Sequence, residues 1–198
     1  MRNAFTAHYR DGSDEWSRDP EMRQFPAFVE RQVRLPTAAR ALDIGCGNGD
    51  DARYLTRQCA SVVGIDLHEH SDWVALRETR VDLTFRCCDL LTYAREDREG
   101  FDLVLDNGSF HHQHPRQYDA YLAAIVALLR PGGHLALSTF KQPDFPGHVD
   151  VRGRLHRYFE DAELSAILRR AGLVITATHD VFRPRKNNYY RYSICTVG

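Results

Sequence analysis

Ala41-Leu42-Asp43-Ile44 has the character of a buried strand and passes directly into Gly45-Cys46-Gly47-Asn48-Gly49, a junction for which few folds have a place. Glycines at alternate positions let the backbone turn sharply and leave room for a ligand to lie against it. The turn opens into a helix that Asp50 or Asp51 can cap, so free N–H groups at its start point outward. A GxGxxG dinucleotide fingerprint would put its third small residue at position 50, which is Asp. The spacing from Asp43 is D-x-G-x-G-x-G instead, which opposes an NAD-dependent dehydrogenase.

From Ala39 onward, strand-like and helix-like stretches alternate. Strands are expected at 39–44, 61–66, 81–87, 101–106 and 133–140, and helices at about 50–59, 70–79, 115–130 and 161–171. Pro131-Gly132-Gly133 stops the long helix, and 173–182 with 189–197 reads as a closing hairpin. Such alternation argues for an α/β fold, a parallel sheet covered on both faces, with the hairpin adding an antiparallel strand. Binding sites in such sheets lie outside the carboxyl ends of the strands. Residues 1–38 come before this pattern as a helical arm, and 39–198 form one domain. Within the arm, apolar positions 25, 28, 29 and 33 make a helical stripe that begins near Pro26. Residues 7–16 are aromatic but aperiodic. They read either as a solvated arm or as a lid in which Tyr9 and Trp16 exclude water.

A chain of 198 residues with net charge −1 builds one core and carries no global field toward nucleic acid or an anionic membrane. Its start is polar and no apolar run approaches ~18 residues, so neither a leader nor a membrane span is expected, and the expected location is cytoplasmic. The 5 cysteines lack CxxC spacing and are odd in number, which reads as small buried thiols. Cys87 and Cys88, adjacent in a strand, are expected to face opposite sides of the sheet.

Asp66 ends the second strand, where a carboxylate can accept both hydroxyl protons of a ribose. The other reading is a turn or cap acid. Asp89, just past the third strand, can accept from an adenine amino group while Cys88 and Leu90 flank the ring; again a turn acid is the alternative.

Together, Asp43-x-Gly45-x-Gly47-x-Gly49, Asp66, Asp89, the Phe101–Asp106 strand and Leu128-Leu129-Arg130-Pro131-Gly132-Gly133 resemble the class I S-adenosylmethionine-dependent methyltransferases. Tyr158-Phe159-Glu160, Leu164, Leu168 and Ala171-Gly172-Leu173 are similar to that family's late helix. The resemblance implies a Rossmann-like, doubly wound, seven-stranded sheet with S-adenosylmethionine as cofactor and methyl transfer as the reaction. It implies cofactor contacts from Asp43, Gly45, Cys46, Gly47, Gly49, Asp66, Leu67, Cys88, Asp89, Leu90, Asp106 and Asn107.

The stretch Asp106-Asn107-Gly108-Ser109-Phe110-His111-His112 resembles small-molecule members, which points to a low-molecular-weight acceptor attacking through O, N or S. The Asn-Pro-Pro-Tyr signature of enzymes acting on adenine in DNA is absent. His111 or His112 is the expected base or orienting group, with structural hydrogen bonding as the competing role. Tyr9 joins them as a catalytic candidate through the lid. A metal is not expected, because no carboxylate accompanies the histidines. The 140–157 loop borders the expected acceptor site, and the four cations of 183–191 read either as a site for a carboxylate or phosphate or as a solvated hairpin tip. The rival functions are an RNA or protein methyltransferase and a non-catalytic cofactor binder. The sequence leaves the oligomeric state open.

Overall fold

In chain order the strands are β1 (Arg40–Ile44), β2 (Ser61–Asp66), β3 (Leu83–Cys87), β4 (Phe101–Asn107), β5 (Leu129–Lys141), β6 (Gly147–Val149), β7 (Leu155–Arg157), β8 (Leu173–Arg183) and β9 (Asn188–Val197). The structure, a computed structural model, describes residues 2–79 and 82–198. Seven of these strands form one sheet in the order β3-β2-β1-β4-β5-β9-β8, while β6 and β7 pair separately. β9 inserts antiparallel between β5 and β8 and runs against the rest of the sheet. This is the doubly wound, seven-stranded fold that the resemblance implied.

The helices are α1 (Arg2–Arg10), α2 (Phe25–Gln32), α3 (Asp50–Leu55), α4 (Asp72–Thr79), α5 (Leu90–Glu96), α6 (Tyr118–Leu128) and α7 (Asp161–Arg170). Central strands buried on both faces read as continuous apolar runs, and β1 is buried from Ala41 to Ile44. Two apolar clusters result. In one, Phe25, Phe28, Ala52, Leu55 and Trp73 pack against Leu103 and Tyr192. In the other, Tyr93, Leu122, Ile125, Leu164 and Leu168 pack with Leu42 and Val104.

After β3 the chain crosses back to pair β4 with the free side of β1. That reversal puts a crevice at the carboxyl ends of β1 and β4, where the glycine turn leaves the sheet.

Several boundaries differ from expectation. α3 is capped by Gly49, whose φ of 88° is left-handed, so Asp50 and Asp51 fall inside its first turn. The expected start of the third strand at Val81 lies outside the described residues, and β3 begins at Leu83. The helix expected from Pro115 begins as a 3₁₀ turn, Pro115–Gln117, and becomes α-helical at Tyr118. β5 starts at Leu129, because Pro131-Gly132-Gly133 make an irregular strand entry beside Phe101. α5 and the β6–β7 hairpin had no counterpart in the sequence reading. The residues read as an aperiodic arm form α1 and a 3₁₀ turn, Glu15–Arg18. All five cysteines are free, with Cys46, Cys59 and Cys195 buried, Cys88 half-buried and Cys87 exposed.

Candidate active site

The carboxyl ends of the central strands open into a cavity of about 780 Å³, a size suited to a cofactor and a small acceptor together. Gly45 forms its floor. The Gly45 and Cys46 amides both donate to the Ile65 carbonyl, at 2.8 and 3.0 Å, tying the turn to β2. Gly47 donates to Asp66 Oδ2 at 3.0 Å and accepts from Trp73 Nε1 at 2.8 Å. At Gly49 a Cβ would lie 2.6 Å from Phe85. Gly45 borders the cavity, and Cys46, Gly47 and Gly49 carry the turn from there to the start of α3.

Asp43 is buried, and among the described residues its Oδ2 has no hydrogen-bond partner. Burial, followed by the charges of Asp51, Asp66 and Asp106, pushes its carboxyl well above the usual range.

Asp66 and Leu67 border the cavity. Asp66 accepts from Gly47 through one oxygen and from the His68 amide through the other, at 2.9 Å. Each oxygen keeps a lone pair for a further donor. Burial raises its pKa against those hydrogen bonds. Cys88, Asp89 and Leu90 line the neighbouring wall. Asp89 caps α5, accepting from the Thr92 amide and hydroxyl at 2.9 Å each. Burial raises its pKa, but the Thr92 bonds outweigh it and hold the carboxyl below the usual range. The cap role and a ligand role are compatible, since a carboxylate offers about four lone pairs.

The two residues that end β4 part company. Asn107 borders the cavity and donates from Nδ2 to Met22 O (3.1 Å) and Asp51 Oδ2 (2.6 Å), and among the described residues its buried Oδ1 has no partner. Asp106 does not border it. Its carboxylate accepts from the Ser109 and Phe110 amides at 2.6 and 3.1 Å and from Tyr121 OH at 2.7 Å, folding the turn that carries the histidines. Burial pushes its pKa from 3.8 up to about 6 despite those bonds. The native state therefore holds this proton between about pH 4 and 6, where the unfolded chain has lost it. That stability is fully present below about pH 4 and is lost as pH rises through 6. In Asp106→Asn this loss should vanish. Urea unfolding at pH 4 and pH 7 should show the variant gaining roughly 2–3 kcal/mol relative to wild type across that interval.

His111 and His112 form a buried 3₁₀ turn with Phe110. His111 stacks on Phe140, ring centroids 3.7 Å apart, and its Nδ1 has no partner. His112 Nδ1 lies 2.5 Å from the Leu155 carbonyl, which can only accept. The proton therefore sits on Nδ1, leaving Nε2 as the basic nitrogen. Burial, then the His112, His156 and arginine charges, drives His111 far below its ordinary pKa. Burial lowers His112 likewise, against the Leu155 hydrogen bond. Both are neutral imidazoles at physiological pH. His114, by contrast, is exposed and accepts from the Arg116 amide.

Tyr9 stacks on His68 at 5.1 Å, and its hydroxyl accepts from Trp16 Nε1 at 3.2 Å. Burial and the Asp66 charge raise its pKa, so it stays protonated. It covers the glycine turn, 3.1 Å from where a Gly47 Cβ would sit. Its place is a roof over the turn at the cavity.

The β6–β7 hairpin supplies Arg154 and His156, which the sequence reading missed; their only local mark is the turn-rich 150–154 stretch. Of the 183–191 cations, Arg183 and Lys186 border the cavity. Arg191 is paired with Asp180 and Asp161 away from it. Among the described residues, no group of three or more His, Cys, Asp or Glu is placed to hold a metal ion.

A doubly wound sheet with a glycine turn off its central strand and an acid ending the next defines a nucleotide-cofactor-binding α/β protein. Residues 41–133 match the methyltransferase domain family. The ubiquinone biosynthesis O-methyltransferase of Xanthomonas axonopodis pv. citri is 34% identical over 179 residues, 78% of this chain and 74% of that protein. The cyclopropane-fatty-acyl-phospholipid synthase of Escherichia coli is 30% identical over 164 residues, but this chain spans only 42% of its length. Among solved structures, the 1,6-didemethyltoxoflavin-N1-methyltransferase of Burkholderia thailandensis superposes with a TM-score of 0.89 at 35% identity, covering 98% of this chain and 85% of that one. It was solved with 1,6-didemethyltoxoflavin and S-adenosylhomocysteine bound. The chain belongs to the class I S-adenosylmethionine-dependent methyltransferases. Among the described residues, no helix is long and apolar enough to cross a membrane.

Proposed function

We propose that this protein methylates a small-molecule acceptor, with S-adenosylmethionine held at the Asp66 end of the cavity and the acceptor at the His112 end. One observation carries this reading: a single cavity runs from Asp66 and Asp89 to His111, His112 and the hairpin. The acceptor groups at the first end suit a ligand rich in donors. Asp66 takes the ribose hydroxyls, Asp89 the adenine amino group beside Cys88 and Leu90, and the unpartnered Asn107 Oδ1 an ammonium. Gly45, without a side chain, leaves room for Ser109 Oγ, which lies 1.9 Å from where a Gly45 Cβ would sit.

When bound there, S-adenosylmethionine supplies a methyl group already activated on a sulfonium. What remains for the chain is to align the acceptor, exclude water and receive a proton where one must leave. His112 Nε2 takes that proton, with the Leu155 carbonyl holding the ring in the right tautomer. Water is excluded by two flaps that meet over the cavity. Arg152 of the hairpin turn pairs with Asp11 at 2.9 Å, and the Arg154 guanidinium lies 4.7 Å over Trp16. The likeness to a protein solved with 1,6-didemethyltoxoflavin supports a flat heterocycle as acceptor.

The test is S-adenosylhomocysteine release with a panel of heterocycles, phenols, thiols and amines. Wild-type protein is expected to turn over on one class. His112→Ala should lower kcat about 10²-fold, with S-adenosylhomocysteine affinity unchanged. Equal kcat in the variant would remove His112 from the chemistry, and cofactor binding with no turnover on any class would favour a non-catalytic binder.

A further inference from the structure

We propose that the acceptor is a planar acid bound as its anion, an inference that rests on the methyltransferase reading and narrows its substrate class. The cavity is divided by charge. Asp66 and Asp89 border one end, whereas Arg154, Arg183 and Lys186 border the other. The carboxylate that borders the second end, Asp19, is saturated. Its Oδ1 accepts from the Glu21 and Met22 amides at 3.0 and 3.2 Å, and its Oδ2 from Arg183 and Tyr190 at 2.8 and 3.2 Å. Asp150, behind the hairpin, is occupied by Arg154 at 3.0 Å and His156 at 3.2 Å.

His111, His112 and His156 add no negative charge and, held low by burial and the neighbouring arginine charge, no positive charge either; burial and Arg154 take His156 down to about 4. An ammonium acceptor would thus face cations with no carboxylate left to receive it. An anion would meet charge-assisted donors, the stronger class of hydrogen bond. Arg154 and Lys186 border this end, and Arg183, 7% exposed and donating to Asn188 at 3.1 Å and Asp19 at 2.8 Å, adds a buried guanidinium behind them.

The same corner is flat. Arg183 lies 4.2 Å over the Tyr190 ring and 5.1 Å over Phe140. Phe140 stacks with His156 at 5.8 Å and Tyr158 at 5.2 Å, so parallel ring faces form the wall. Parallel rings favour a planar guest in offset stacking. Nearby cations also lower the pKa of a bound acid. A weakly acidic ring N–H or phenol therefore gives up its proton on binding to a base as weak as neutral His112 Nε2, and the anion stays beside the cations.

Three probes with one skeleton test this by calorimetry on protein saturated with S-adenosylhomocysteine: naphthoate, naphthamide and naphthylmethylammonium. Naphthoate should bind about tenfold or more tighter than naphthamide, and the ammonium should give no measurable heat. Lys186→Gln and Arg154→Gln should each weaken naphthoate roughly fivefold and leave naphthamide unchanged. Equal or tighter binding of the amide, binding of the ammonium, insensitivity to both variants, or silence from all three probes would overturn the proposal while the methyltransferase reading stands. Failure of S-adenosylhomocysteine itself to bind would remove both.

Discussion

Replacing Asp66 with Ala should weaken S-adenosylhomocysteine binding by about 100-fold or more, the largest functional effect expected from one side chain outside the glycine turn. This carboxylate does two things at once. It receives the Gly47 and His68 amides at 3.0 and 2.9 Å, which holds the glycine turn in register with the end of β2. It also keeps lone pairs toward the cavity, where ribose hydroxyls would donate. Hydrogen bonds to a charged acceptor are each worth roughly 1.5–3 kcal/mol, so losing the ligand-facing pair accounts for the expected factor. Asp66→Asn keeps one carbonyl oxygen but turns an NH₂ toward an N–H or a hydroxyl, and should sit between, about tenfold down. Calorimetry measures both. Affinity within about threefold of wild type for Asp66→Ala, with the fold intact, would contradict the assigned role.

The second large effect is on stability. Gly49→Ala places a side chain on a residue with φ of 88° and a Cβ 2.6 Å from Phe85 Cζ and 2.9 Å from Leu76 Cδ1. The left-handed conformation costs about 1–2 kcal/mol without glycine. Overpacking against the Phe85 ring adds roughly 1–3 kcal/mol. A total of about 2–5 kcal/mol lowers Tm by roughly 5–15 °C in a chain of this size. The two contributions separate in a double variant. Adding Phe85→Leu to Gly49→Ala makes room and should recover part of the loss, whereas the backbone share remains. A single variant that melts with wild type would show that the turn tolerates a side chain.

How much of this was legible in the sequence follows from the range of the interactions. β1, β2 and β4 were readable because each is a short apolar run bounded by glycine, acid or proline, and parallel strands buried on both faces leave that local mark. The antiparallel end carries a different mark, two long β-rich stretches on either side of a short polar turn. α5 escaped because it spans only Leu90–Glu96 and its start signal, Asp89, has the spacing of an ordinary turn acid. Asp89 is both a cap and a cavity residue, so its two readings were never alternatives.

The hairpin escaped because three-residue strands carry too few positions to show alternation. With it went Arg154 and His156, whose place at the cavity depends on how 147–157 folds back over the histidine turn. The Arg183–Asp19 pair joins residues far apart in the chain, and nothing local marks either partner. The glycines mark the turn locally, but the partners each one serves lie far away in the chain. Gly47 holds Trp73 and Asp66, and Gly49 clears Phe85.

If one cavity brings cofactor and a small acceptor together for methyl transfer, incubation with methyl-labelled S-adenosylmethionine and a panel of planar acids, followed by mass spectrometry, should find the label on a low-molecular-weight acceptor. The label should appear in step with S-adenosylhomocysteine release and be lost in Asp66→Ala. Label found only on RNA or protein, or no transfer and no cofactor binding at all, would contradict that reading.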